Sequence, residues 1–225
     1  MLFSERAVRD NLRNRDGKRV FYLAKGDQLT SEARDYLQKE RIEILPATLA
    51  KPDRYRLLSG GYSDEKPEHL THLSGDILVP KTHPRIAFRG AVDLLEAEIL
   101  CCIRALPGLS YELGELLTLA RRLIKSDVLN EPLPEEPLGG LTLAQLRDHS
   151  HRPQDFYGKP HFMPEAADGE AVLLLNRLRS LTRLTELKAA CAFCDENGLP
   201  TRPDLLKALN RMSSFLYILM IKTKE

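Results

Sequence analysis

From residue 85 onward, apolar residues recur every three to four positions, the spacing of helices that bury one face. Pro107 with Gly108, and Asn197 with Gly198, mark helix ends. Thr142 and Gln145 fit a T-x-x-Q capping box, and Thr201 is placed to cap the last helix. Five helices with short connections are typical of a helical bundle. We place them at residues 85–106, 110–129, 142–151, 169–198 and 202–223.

The first part of the chain has a different pattern. Residues 18–24 and 41–45 read as strands, and residues 29–40 read as a helix capped by Thr30 or Ser31. Residues 59–75 are rich in glycine, serine and proline and read as a loop. The predicted fold is therefore mainly α, a five-helix bundle domain at 59–225 that follows a small α/β appendage at 1–58.

Composition excludes several classes of protein. The 225 residues carry 33 Lys and Arg against 32 Asp and Glu, a net charge of +1, so no broad basic field favours nucleic acid or an anionic membrane. The longest apolar run, at residues 215–221, is far shorter than the roughly 20 residues of a membrane span. The N-terminus is charged and lacks an apolar core, unlike a signal peptide. We expect a cytoplasmic protein without a nucleic-acid or membrane partner.

Familiar metal and nucleotide motifs are missing from the sequence. The four cysteines form an adjacent pair, Cys101 and Cys102, and a lone CxxC at Cys191 and Cys194, which is half of a usual zinc site. The six histidines include no HExxH arrangement, and there is no P-loop, GxGxxG or GxSxG pattern. We expect reduced thiols and no protein-bound transition metal.

The longest predicted helix carries an unusual charged face. Arg179, Arg183 and Glu186 lie within about 60° of one another at 100° per residue. Leucines occupy the other faces, which predicts a helix buried nearly all round. Glu186 can neutralise one arginine, and the other needs a carboxylate or a bound anion. A phosphate site and a structural salt-bridge network at a subunit interface both fit this pattern.

Two other helices offer polar groups. Arg89, Asp93 and Glu96 share a face of the 85–106 helix, and the apolar neighbours of Asp93 predict that it is shielded. Lys81 and Arg85 precede or begin that helix and could approach a phosphate, although a solvated face is the alternative. On the last helix, Asn210 could bond a ribose or phosphate or serve a structural role.

Several blocks of the sequence resemble the ethanolamine-utilisation (EutT-type) corrinoid adenosyltransferases. The similar blocks are LTSEARDYL, KPEHLTHLSGDILVPKTHPRIAFRGAVD, SDVLNEPL, LRDHSHRPQDFYGKPHFMPEA and PDLLKALNRMSSFLYILM. The chain is also similar to the wider ATP:corrinoid adenosyltransferase superfamily. The resemblance implies a trimer of five-helix bundles, with a dimer as the alternative, and ATP, Mg²⁺ and cobalamin as ligands.

The resemblance implies roles for particular residues. Arg179, Arg183 and Glu186 match the arginine–glutamate motif that binds ATP, and Asn210 matches the asparagine of the last motif. Lys81 matches a lysine on the phosphate side. The implied ATP-binding set is completed by Arg85, and the implied catalytic set is Arg179, Arg183 and Asp93, the last at a subunit contact.

The sequence also departs from the family pattern. Leu184 stands where the wider family has a second arginine, and Ser214 replaces the final aspartate. The cysteine cluster of many EutT-type enzymes is missing from the segment before THLS, so no iron or zinc requirement follows.

The implied reaction transfers the 5′-deoxyadenosyl group of ATP to reduced cobalt. Bulky apolar side chains that press on the corrinoid would be needed, and Phe156, Tyr157, Phe162 and Met163 are candidates, with ordinary core packing as the alternative. A cobalamin reductase and a bacterial microcompartment are the expected further partners. The rival functions are a non-catalytic corrinoid carrier and a microcompartment-associated scaffold.

Overall fold

A computed structural model describes residues 2–15, 18–49 and 55–224. The chain divides into two units, Met1–Tyr55 and Arg56–Glu225. Residues 1, 16–17 and 50–54, which belong to the predicted appendage, and residue 225 lie outside the described part.

The first unit is a small α/β structure. Its helices are α1 (Glu5–Asp10) and α2 (Ser31–Lys39), and its strands are β1 (Leu2–Phe3), β2 (Arg13–Arg15), β3 (Lys18–Leu23), β4 (Gln28–Leu29) and β5 (Glu43–Pro46). Strand β3 pairs antiparallel with β2 and parallel with β5, and β1 pairs parallel with β4. The predicted cap is confirmed, because the Thr30 hydroxyl accepts the Ala33 N–H at 3.2 Å.

The second unit begins with a four-stranded sheet in the order β7-β6-β9-β8. Its strands are β6 (Tyr55–Leu57), β7 (Tyr62–Ser63), β8 (Leu70–Ser74) and β9 (Ile77–Pro80). The prediction of a loop over 59–75 is therefore wrong for β7 and β8. Leu70 and Leu73 of β8 are buried, and β8 forms an antiparallel pair with β9.

The predicted five-helix bundle is confirmed. Its members are α3 (Pro84–Ala105), α4 (Ser110–Leu129), α5 (Leu143–His151), α7 (Glu170–Phe193) and α8 (Pro203–Thr223), with a short α6 (Pro153–Tyr157) in the predicted loop. Helix α3 packs on α4 and α7, α7 packs on α8, and α8 packs on α5. Helix α8 supplies much of the core, including Leu209, Phe215 and Leu216. Among the described helices, none has the length and apolar character that crossing a bilayer requires.

Some of the helix ends predicted from the sequence agree with the structure, and others do not. The capping box of α5 is confirmed, with the Thr142 hydroxyl and the Gln145 side chain each accepting the other's backbone N–H. Helix α7 ends at Phe193 rather than at Asn197 and Gly198, because the Asp195 carboxylate accepts N–H bonds from a tight turn. The prediction of a Thr201 cap is also wrong, because that hydroxyl donates to the Phe193 carbonyl at 2.8 Å.

Helix α7 is not buried all round, contrary to the sequence-based expectation. Leu184 and Leu187 of α7 are 47% and 63% exposed, and Leu94 of the adjacent α3 is 49% exposed. These side chains belong to two exposed rows of residues, each at helical spacing, which we call the apolar stripe. The stripe consists of Ala87, Gly90, Leu94, Ala97 and Cys101 on α3, and Leu173, Ser180, Leu184, Leu187 and Cys191 on α7. The exposed Arg177, which pairs with Glu98 of α3, interrupts the row on α7 between Leu173 and Ser180.

Candidate functional site

An open cleft of about 740 Å³ lies in the second unit, on the side of α7 and α8 that faces α5 and the segment after α6. Helix α7 contributes polar groups spaced three and four residues apart, so they project from one face. The cleft is lined by Ser150, His151, His161, Phe162, Met163, Pro164, Asn176, Arg179, Arg183, Asn210, Ser213, Ser214, Tyr217 and Met220.

Two arginines give the cleft its positive charge. The Nε of Arg179 is buried and has no hydrogen-bond partner among the described residues. Its guanidinium carbon lies 5.2 Å from the centroid of the Tyr217 ring. Burial, followed by the positive charge of Arg183, lowers the pKa of Arg179. A guanidinium stays charged in proteins, so this arrangement favours a bound anion.

Glu186 and Asn210 form a polar bridge between α7 and α8. The Asn210 Nδ2 donates to the Glu186 Oε1 at 2.9 Å. Glu186, which the sequence analysis gave as able to neutralise one arginine, therefore bonds the asparagine. Behind the bridge, the Nε of Arg211 is buried and also lacks a hydrogen-bond partner within the described ranges. Burial, followed by the nearby charge of Arg147, lowers the pKa of Arg211.

The four predicted corrinoid residues fall into two groups. Phe162 and Met163 line the cleft, and Met163 is 83% exposed. Phe156 and Tyr157 lie on α6, outside the described lining. Phe156 stacks on His149 with the ring centroids 3.7 Å apart, and the Tyr157 hydroxyl lies 2.8 Å from the His149 Nδ1. Burial raises the pKa of Tyr157.

The predicted residues around the start of α3 lie outside the described cleft lining. Lys81 is exposed just after β9, and Asp93 is exposed on the outer face of α3, contrary to the expectation that it is shielded. Arg85 is bonded to Asp127 of α4, with Nε to Oδ1 at 2.8 Å. The His83 ring accepts the Arg85 N–H at 3.2 Å at the start of α3, and burial lowers the pKa of His83.

Asp127 is the centre of a buried charged cluster. Its side chain is 0% exposed, and its Oδ2 accepts from the Arg89 Nε at 2.6 Å. Its backbone carbonyl accepts from the Arg85 Nη2 at 2.8 Å. Arg89 also donates to the Leu73 carbonyl at 2.8 Å, so the cluster joins α3, α4 and β8.

Among the lining residues that sequence reasoning did not assign to the site are Asn176, His161 and Tyr217. Asn176 precedes Arg179 by three positions, and Tyr217 follows Asn210 by seven, so helical spacing placed both on the site face. His161 lies outside any helix, and no periodic signal was available for it.

Within the part of the chain that the structure describes, no group of three or more His, Cys, Asp or Glu side chains could bind a metal. The four cysteines are free thiols, of which Cys101 and Cys191 are exposed. Any magnesium at the cleft would therefore depend largely on oxygens that a ligand supplies, as is common for Mg²⁺ with nucleotides.

Known proteins are similar to this chain in sequence. The EutT corrinoid adenosyltransferase of Salmonella typhimurium LT2 is 38% identical over 165 residues, and that of Escherichia coli K12 is 35% identical over 158 residues. Each match covers 70% of this chain and 59% of the relative, so the chain spans about three-fifths of the length of these relatives.

A solved structure shares the fold. It is a variant of a PduO-type ATP:corrinoid adenosyltransferase from Lactobacillus reuteri, complexed with cobalamin and ATP. The TM-score is 0.51 at 14% identity, over 76% of this chain and 91% of the other. The sequence profile of the cobalamin adenosyltransferases matches residues 61–223. This match spans most of the chain and confirms the resemblance seen in the sequence: the chain belongs to the cobalamin adenosyltransferase family.

Proposed function

We propose that this chain is an ATP:cob(I)alamin adenosyltransferase that makes adenosylcobalamin, with ethanolamine utilisation as its pathway. The observation that carries the proposal is the cleft, where the unpaired Nε of Arg179 and the exposed Arg183 lie beside Phe162 and Met163. One part of the cleft fits a polyanion, and the other fits the face of a large apolar ring. ATP and a corrinoid have this combination of chemical features.

On the phosphate side, Arg179 and Arg183 bind the triphosphate through paired N–H donors. Asn210 is oriented by Glu186 and bonds the ribose or a phosphate. Lys81 lies outside the cleft lining of its own chain and adds a further positive charge from a second copy in the assembly proposed below. Arg85 is bonded to Asp127, so we assign it to fixing the segment that carries Lys81. Magnesium, when bound, neutralises part of the phosphate charge.

The reaction breaks the bond between the ribose C5′ and the triphosphate and forms a bond between C5′ and cobalt. Reduced cobalt, part of the substrate, supplies the electron pair, and the triphosphate departs with the electrons of the broken bond. The two arginines stabilise this leaving group as its charge develops. The protein also fixes the distance between C5′ and cobalt, which lowers the entropic barrier.

On the corrinoid side, Phe162 and Met163 contact the ring face and exclude water from the cobalt. Phe156 and Tyr157 of α6 both pack against His149, and we assign them to the border of the corrinoid site. No acid or base is required for the transfer, because neither bond change moves a proton.

We further propose that the chain acts as a homotrimer through the apolar stripe, with the ATP site at the edge of the interface. At 100° per residue, Arg183 projects about 40° from Leu187, the stripe residue of α7 nearest to it in angle, whereas Leu184 lies within the stripe. A second copy seated on the stripe can bring its Lys81 and Asp93 toward the arginines. The proposed location is the cytoplasm or a bacterial microcompartment, with a cobalamin reductase supplying reduced cobalt.

Glutamate at both Leu184 and Leu187 is expected to convert the oligomer to monomers. The double variant places two charges in a surface that must lose water when subunits associate, which is unfavourable. Light scattering coupled to size exclusion measures the mass. The control is Leu199→Glu, which changes an exposed leucine beyond the end of α7. A double variant with unchanged mass would assign the subunit contact to another surface.

The test of the activity is an anaerobic assay with chemically reduced cobalamin, ATP and Mg²⁺, which follows the loss of cob(I)alamin absorbance. We expect adenosylcobalamin to form, and to form after chelation of transition metals as long as Mg²⁺ is restored. Folded protein that binds cobalamin and forms no product would favour a corrinoid carrier. Folded protein that binds neither ligand would favour a scaffold.

A further inference from the structure

Tyr217 of α8 contacts both sides of the cleft. Its ring lies below Arg179, with 5.2 Å between the guanidinium carbon and the ring centroid. The same ring stacks with His161 at 5.8 Å and with Phe162 at 6.0 Å between centroids. Its hydroxyl oxygen lies 3.1 Å from the His161 Nδ1 and 3.3 Å from the Phe162 nitrogen.

The hydrogen-bond partners fix the direction of each bond. The His161 Nε2 lies 3.1 Å from the His151 carbonyl, which can only accept, so Nε2 carries the hydrogen. In the neutral ring Nδ1 is then an acceptor, and the Tyr217 hydroxyl donates to it. The Tyr217 oxygen in turn accepts the Phe162 N–H. These bonds form one continuous chain from the backbone of Phe162 to the backbone of His151.

We propose that Tyr217 is a positioning residue that sets the width of the cleft between the phosphate side and the corrinoid side. Its hydroxyl connects residues 161–163 to α8 by hydrogen bonds, and its ring packs against the guanidinium group of Arg179. The inference rests on the proposed function for the identity of the two ligands. A phenylalanine at this position would keep the ring contacts and lose the hydrogen bonds that connect residues 161–163 to α8.

The small number of backbone N–H groups near residues 161–163 supports this role. Phe162 and Met163 lie between Pro160 and Pro164, neither of which has a backbone N–H to donate. The segment has two further attachments, the bond of the His161 Nε2 to the His151 carbonyl and the Lys224 ammonium, which lies 4.2 Å from the centroid of the Phe162 ring. The Tyr217 hydroxyl is thus a main restraint on the backbone that presents the predicted corrinoid contacts.

The test compares Tyr217→Phe with wild type by amide hydrogen exchange and by equilibrium binding of cob(II)alamin in the presence of ATP. In residues 160–164 only three amides can exchange, so the signal of a peptide spanning them is local. We expect exchange there to become at least about fivefold faster, and the corrinoid Kd to rise at least about fivefold, because the variant loses the neutral hydrogen bonds to His161 and from the Phe162 N–H. The Kd for ATP should change less than about twofold, because the ring below Arg179 is retained.

Two further variants sharpen the comparison. His161→Phe removes the partner of the hydroxyl and keeps a flat ring, and its effect combined with Tyr217→Phe should be much less than the product of the two single effects. Tyr111→Phe, on an exposed tyrosine of α4 outside the cleft lining, is the control and should match wild type.

Unchanged exchange in Tyr217→Phe would overturn the proposal, and so would faster exchange with an unchanged corrinoid Kd. A parallel weakening of ATP and corrinoid binding would also overturn it, because that result indicates a general structural role. A wild-type chain that binds cobalamin but does not adenosylate it would count against the proposed function alone.

Discussion

Replacing Arg183 with alanine is expected to lower kcat/KM for ATP by about 100- to 1,000-fold, the usual cost of removing one group that stabilises charge in a transition state. Arg183 is exposed in the cleft, so its removal leaves no cavity and no unpaired buried group. The triphosphate gains charge as the C5′ bond breaks, and kcat should therefore fall as well as the affinity for ATP. Anaerobic initial rates over a range of ATP concentrations separate the two effects.

Arg183→Lys is the informative companion variant. It keeps the charge and loses the planar fork, so only part of the activity should return. Arg121→Ala is the control, because Arg121 is also exposed and forms a surface ion pair with Glu96 at 3.3 Å. Near-normal kcat and KM in Arg183→Ala would show that the arginine serves the structure and not the nucleotide.

The largest expected effect on stability comes from Asp127→Ala. Asp127 accepts from two arginines and is 0% exposed, so its loss leaves two positive charges partly buried without their carboxylate. Removing one partner from such a cluster costs about 3–5 kcal/mol. For a domain of this size we expect the Tm to fall by about 10 °C, measured by calorimetry or circular dichroism.

The control for Asp127 is Glu135→Ala, which removes the carboxylate of a surface ion pair with Lys207. Surface pairs of this kind contribute little to stability, so its Tm should match wild type. If Asp127→Ala were as stable as Glu135→Ala, the cluster would not anchor α3 to α4, and the fixed position of Lys81 would need another cause.

The sequence predicted the helices well where end signals were local. Thr30 and the pair Thr142 and Gln145 cap the helices that their spacing indicated. The short α6 was missed although Pro153 begins it and Gly158 adopts a left-handed conformation just after it. Strand β8 was missed because its exposed residues resemble a loop, and only pairing with β9 makes it a strand.

The candidate site could be predicted along α7 and α8, and outside them only at Phe162 and Met163. Helical spacing places Arg179 and Arg183 on one face whatever the rest of the chain does. The bond between Asn210 and Glu186, and the ion pair of Arg85 with Asp127, join distant segments and depend on how the helices pack. Periodicity also predicted a fully buried α7, and this is wrong for the chain itself, because Leu184 and Leu187 stay exposed. In the proposed assembly a second copy would cover them.

The closeness of Arg183 to the apolar stripe has a consequence for how the activity would respond to protein concentration. In the proposed assembly, a nucleotide bound at the stripe's edge touches two subunits, so its binding and subunit association strengthen each other by mass action. Scarce ATP would then loosen the assembly, and dilute protein would bind ATP weakly. The rate of adenosylcobalamin formation would therefore increase more than proportionally with the concentration of the protein.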